Sequence, residues 1–165
     1  MIHYSKNNNN KLFNSLKNEN LTSFNNIQNY IPIYKRFFNL NENNFNTINL
    51  NHTHNILEIN KKETYQIFNC NVQKNNKENI NLFFKFSPLL DPVKYLTGKY
   101  KDIDISKLPK FNNNNCHEKL LDTNNCAYID SFFSYLTSIL LNKYKFINGI
   151  EFYGSFLGIK KEFKY

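Results

Sequence analysis

The side chains able to do chemistry in this 165-residue chain are few and scattered. His52 and His54 in "HTH", the pair Cys116–His117, and Cys126 carry the imidazole and thiolate groups that zinc prefers. Nine residues separate Cys116 from Cys126, which is no CxxC knuckle, and a His-x-His pair in a loop is weak on its own, so no metal site is expected. Cys116 and His117 as nucleophile and base fare no better. Adjacent side chains seldom converge, and no third group stands ready to orient the imidazole. Lys85 alternates with Phe84 and Phe86 in "LFFKFSP", the pattern of an outward strand residue. Asp130 falls in the first turn of a predicted helix, where the helix dipole favours an anion. No catalytic residues are expected from these types and spacings.

The elements that must position these residues are legible in places. "TYQIFNCNV" (64–72) and "INLFFKFSP" (80–88) are rich in β-branched and aromatic residues and flank the polar turn "QKNNKEN", which predicts a β-hairpin. Tyr65, Ile67 and Asn69 share one side of the first strand. A short helix is expected over Tyr34 to Leu40. Another should start at Pro92, capped by Asp91 and ended by Gly98. The clearest segment is "NNCAYIDSFFSYLTSILLNKYKF". Ile129, Phe132, Phe133, Leu136, Ile139, Leu140 and Tyr144 recur there at helical spacing and read as the core-facing stripe of one long helix. Asn124 or Asn125 would cap it, and Lys143 and Lys145 sit in its last turn, where cations are favoured. "GIEFYGSFLGIKKEFKY" (149–165) reads as strand, turn, strand.

Composition bounds the rest. There are 33 Asn, 20 Lys, 16 Phe, 16 Ile and 11 Tyr, against one Arg, one Ala and no Trp, the mark of an AT-rich genome. The net charge of +8 comes almost wholly from dispersed Lys, and one Arg cannot build a bidentate base-reading surface, which argues against nucleic acid as the partner. Three cysteines without close spacing fit a reducing compartment. No apolar run follows Met1 as in a secretory signal, and "FFSYLTSILL" is too short to span a bilayer, so no membrane association is expected. Residues 1–30 read as an Asn/Lys-rich, disordered or loosely helical segment. Residues 31–165 read as a single α+β domain, a small antiparallel sheet with one long amphipathic helix packed on it.

The order hairpin, connection, helix, strand resembles a divergent N-terminal lobe of a protein kinase, and "FYGSF" is similar to a phrase some kinases carry after the helix. The phrases "FFKFSPLLDPVKYLTGKY", "NNCAYIDSFFSYLTSILL" and "NGIEFYGSFLGIKKEF" look like a family of giant DNA virus proteins (mimivirus-like, nucleocytoplasmic large DNA viruses) that continue into a protein-kinase-like region. The likeness covers about residues 30–165. It implies that Lys85 matches the strand lysine that neutralises ATP phosphates, with ATP as the possible cofactor. It also implies a location in host cytoplasm, viral factory or virion.

The departures are as specific. No Gly precedes Lys85 to cover phosphates, and the only acid within the predicted helix, Asp130, lies in its first turn rather than near its middle. No His-Arg-Asp-like loop or Asp-Phe-Gly site is present. The expected function is therefore a non-catalytic N-terminal portion of a viral kinase-like protein, truncated or split before the catalytic loop. Its partner would be the kinase-like region or another protein. The alternative is a stand-alone interaction module that recruits a partner strand through a sheet edge near residues 150–165.

Overall fold

The computed structural model describes residues 4–6, 8–50, 54–102, 104–112 and 115–162. In chain order the elements are β1 (Ser5–Lys6), α1 (Asn10–Lys17), β2 (Phe24–Gln28), a 3₁₀ turn (Pro32–Arg36), β3 (Ile48–Asn49), β4 (Asn55–Lys62), β5 (Ile67–Gln73), β6 (Lys77–Phe83), α2 (Pro92–Leu96), α3 (Glu118–Leu121), α4 (Cys126–Tyr144) and β7 (Leu157–Lys160). Helix and strand are mixed, and the strands form small antiparallel sheets: β1–β3, β2–β7 and β4–β5–β6. Among the described residues no helix is long and apolar enough to cross a membrane.

The expected hairpin is present as β5–β6, in register from Ile67 opposite Phe83 to Gln73 opposite Lys77. Alternation sends Phe68, Cys70, Val72 and Leu82 inward. Asn69 and Asn71 face out, where Asn69 Nδ2 donates to Asn81 Oδ1 (3.0 Å) and Asn71 Nδ2 to Asn60 Oδ1 (3.0 Å). Strand β4 had no sequence signal, for a physical reason. Register irregularities between Ile56 and Glu58 and between Ile59 and Lys61 break its alternation. Its two buried residues, Ile56 and Ile59, fall three apart, a helical rather than a strand spacing.

The apolar face of this sheet is covered by α1, whose Leu12 and Leu16 lie one turn apart and are both buried. They join Ile56, Ile59, Phe68, Cys70, Val72 and Leu82 in one cluster. The Asn-rich opening thus supplies both a helix to the core and, through β2, the strand that pairs with β7. Several of its amides are structural. Asn9 Nδ2 donates to Asn29 Oδ1 (3.1 Å) and Asn49 Oδ1 (2.8 Å), and Asn29 Nδ2 donates to Asn49 Oδ1 (3.1 Å).

Helix α4 packs elsewhere, on a second cluster built from Ile31, Ile33, Tyr34, Ile48, Leu50, Phe152 and Leu157. Phe37, just past the 3₁₀ turn, stacks on Phe132 with centroids 4.2 Å apart. The face that α4 buries is Tyr128, Phe132, Tyr135 and Ser138, not the stripe expected from the sequence. Of that stripe Phe132 alone is fully buried; Ile129, Phe133, Leu140 and Tyr144 are exposed. Tyrosine accounts for the difference. The Tyr128 hydroxyl donates to Leu120 O (2.9 Å), so this ring is buried with its polar tip satisfied.

The ends of the helices follow local rules. Asp91 accepts from Val93 N (2.9 Å) and Lys94 N (3.2 Å) to cap α2, and Gly98 takes φ +73° just past it. The short helix expected over Tyr34 to Leu40 is instead the 3₁₀ turn. Among the described residues, the expected strand–turn–strand over 149–165 is a single strand, β7. Phe152 N–H donates to Ser138 Oγ of α4 (3.1 Å) rather than to a sister strand. Gly149 permits this return path, because a Cβ there would lie 2.6 Å from Thr137 O.

Candidate functional site

Lys85 follows β6 in an extended run. Phe84 N–H continues the ladder to Gln66 O (2.7 Å). The Phe84 ring sits 4.8 Å from that of Phe68, and the Phe86 ring 5.7 Å from that of Phe24. With both flanking rings turned toward the core, alternation points Lys85 outward. Its Nζ meets Asp130 Oδ2 at 2.7 Å, in the second turn of α4 rather than in the first turn expected from the sequence. Asn125 sets the start of that helix. Its Oδ1 accepts from Ala127 N (3.1 Å), while its Nδ2 donates to Leu89 O and Lys119 O (both 3.0 Å). The chain after β6 and the N-terminus of α4 are therefore fastened together twice, by Asn125 to Leu89 and by Lys85 to Asp130.

Beside Asp130 runs the exposed stripe of α4. Phe133 is 64 % and Tyr144 65 % exposed, with Ile129 and Leu140 on the same face and Leu136 partly covered between them. Lys145 ends the helix with φ +58°, and Phe146, Ile147 and Ile150 beyond it are exposed as well. Monomeric proteins seldom leave so many large apolar side chains uncovered within one short stretch. The sequence carries the signal, since apolar residues occupy more than one face of α4, but periodicity alone does not say which face goes inward.

The other residues singled out by chemistry do not converge. His54 Nδ1 lies 3.1 Å from Glu151 Oε2, and its ring lies beside that of Tyr153. His117 Nδ1 accepts from Lys119 N (3.0 Å) and so caps α3, which occupies the nitrogen a base would use. Desolvation pushes the Cys116 thiol up, away from the thiolate that a nucleophile requires. His52 lies outside the described residues. No group of three His, Cys, Asp or Glu among the described residues is placed to hold a metal. An open groove of about 600 Å³ runs between the start of α1 and strands β4–β6. Amides of Asn8, Asn9, Asn55 and Asn71 line it together with Lys11 and Glu58, a mixed lining with no concentration of one charge.

Sequence reasoning gave no hint of one further cluster. Lys160 of β7 reaches back across β2, where its Nζ donates to Thr22 O (2.6 Å). The same ammonium lies 5.0 Å from the ring centroid of Phe86, 5.2 Å from Phe24 and 5.7 Å from Tyr65. Three aromatic rings around one cation form a cage, closed by the chain's own lysine.

Compared with protein-family models, with curated proteins and with solved structures, the chain matches none.

Proposed function

We propose that this chain is a non-catalytic interaction module that works by docking another polypeptide on the outer face of α4. The observation that carries this reading is the run of exposed Ile129, Phe133, Leu140 and Tyr144, continued by Phe146, Ile147 and Ile150. Such a surface has little use except to be covered. The sheet edge suggested by the sequence is the weaker candidate. Among its described residues the tail offers the four-residue β7, already paired on one side with β2. A photo-crosslinking residue placed at Phe133 tests the reading against the same residue at Asn79 on the sheet. In extract of cells that make the protein, position 133 should give a discrete polypeptide adduct and position 79 none. Equal labelling from both, or none from either, overturns it.

A second reading is favoured by the ion pair of Lys85 with Asp130. A lysine after the third strand of a meander, held by an acid on the following long helix, is similar to the arrangement that the kinase-like resemblance calls for, with the acid near the start of the helix rather than its middle. On this reading the chain is the non-catalytic N-terminal part of a giant-virus kinase-like protein, with Lys85 facing a nucleotide phosphate. The placement of β7 beside β2 rather than beside β4–β6 weighs against it. Mg-ATP separates the two. A ligand at about a hundred times its dissociation constant stabilises a fold by roughly 2.7 kcal/mol. A thermal shift of that order, abolished in Lys85→Ala, supports the kinase-like reading. No shift leaves the docking module.

A further inference from the structure

We infer that the occupant of the α4 face is a second copy of this chain, its own α4 packed antiparallel against the first. This rests on the docking-module reading and names the partner. Ile129, Phe133, Leu136, Leu140 and Tyr144 are spaced four, three, four and four residues apart, which keeps them on one stripe of the helix. The stripe is also self-complementary. Reversed about the midpoint between Leu136 and Thr137, Ile129 comes to the level of Tyr144 and Phe133 to the level of Leu140. Each level then sets one aromatic ring against one aliphatic side chain, the alternation of large and small that lets two helices interdigitate.

The helix dipoles favour the same arrangement, since parallel packing would align the two unfavourably. Asp130 and Lys143 lie equally far from that midpoint and flank the stripe on opposite sides, so antiparallel packing leaves an acid of one copy level with a lysine of the other at each end of the seam. The area suffices. An aromatic side chain can bury about 150–250 Å². Phe133 and Tyr144, with the five exposed residues Ile129, Leu140, Phe146, Ile147 and Ile150, offer several hundred Å² in all. That is the order of the roughly 800 Å² each partner gives to a standard interface. Thr137 on one flank and Lys143 on the other supply a polar rim, and Lys85 on Asp130 closes one edge.

The test uses the purified full chain. Sedimentation at increasing concentration should show the average mass rising from one copy toward two. Phe133→Glu, at an exposed position that leaves the circular dichroism unchanged, should weaken association by at least about tenfold. Orientation is read by disulfide trapping with Cys116 and Cys126 replaced by Ser. A mixture of Ile129→Cys and Tyr144→Cys copies should cross-link to each other, and neither should cross-link alone. A wild-type chain that stays monomeric at every concentration, or efficient cross-linking of Ile129→Cys with itself, overturns the inference. If the purified chain is monomeric while position 133 captures a different polypeptide, self-association fails and the docking module stands. If it captures nothing, both fail.

Discussion

Lys85 Nζ and Asp130 Oδ2 stand 2.7 Å apart and join the segment after β6 to the N-terminal part of α4. The two residues are far apart in sequence, and each has a simple local explanation, as an outward strand residue and as a helix-end anion. The fold gives them to each other. Their side chains are 61 % and 47 % exposed, so water screens the pair. Lys85→Ala should therefore cost less than about 1 kcal/mol. That small cost should disappear in 1 M salt, where the screening length falls to about 3 Å. Urea melts at low and high salt measure both. A loss well beyond this, unaffected by salt, would show that Lys85 holds the fold by something other than this pair.

Alkaline pH should unfold the protein earlier than its surface charge suggests. Burial pushes the Cys70 thiol and the Tyr30 hydroxyl each up to about 12, and raises Tyr34 and Tyr128 further still. Each group sheds its proton more readily in the unfolded chain. Their contribution is therefore complete at neutral pH and is lost as pH climbs from about 9 through 12. Each titrating group adds a slope of about 1.4 kcal/mol per pH unit. Denaturant midpoints measured from pH 8 to 11 should fall steeply, and the fall should be shallower in Tyr30→Phe, which has no hydroxyl to ionise.

The lysine in the aromatic cage should stabilise the β2–β7 pairing. Lys160→Met keeps the apolar stem and removes both the cation over three rings and the donor to Thr22 O. Opposing this, burial and the charge of Lys62 lower the pKa of Lys160, a sign that the site exacts a desolvation cost. The attraction should still win by about 1–2 kcal/mol, the sum expected of a partly desolvated cation–π contact and one charged hydrogen bond. A lower denaturant midpoint and faster amide exchange in β2 and β7 would show it. An unchanged or raised midpoint would mean that desolvation dominates.

Leu12→Ala tests whether the Asn-rich opening belongs to the folded unit. Leu12 is 1 % exposed and packs in the cluster under β4–β6, so its truncation should cost about 2–5 kcal/mol. Exposed Phe83, on the opposite face of the same sheet, offers the control, and Phe83→Ala should change little. An unmoved melting transition in Leu12→Ala would detach residues 10–17 from the core.

Much that lies within a few residues was legible beforehand. Asp91 and Asn125 cap where their side-chain chemistry says they should, and β5–β6 is the hairpin its alternation predicts. Strand β4 was not legible, because its irregular register erases the period of two. Helix α1 was legible only as a loosely helical tendency, because Asn14 and Ser15 between its two leucines dilute the apolar pattern. At the candidate site the sequence supplied the stripe on α4 and the outward direction of Lys85. It did not supply the exposure of that stripe, or the Asp130 that Lys85 meets.

The sequence by itself determined the local conformations, through caps, turn residues and short-range periodicity, since those energies involve neighbours along the chain. The tertiary structure alone decided the rest: which face of α4 is buried, that β7 pairs with β2, and that Lys160 finds three rings. The reason is that α4 offers apolar side chains on more than one face, and short-range energies barely distinguish them. Tyr128 and Tyr135 were chosen for the core by what the 3₁₀ turn and Phe152 bring against them. Phe133 and Tyr144 were left outside by the same choice.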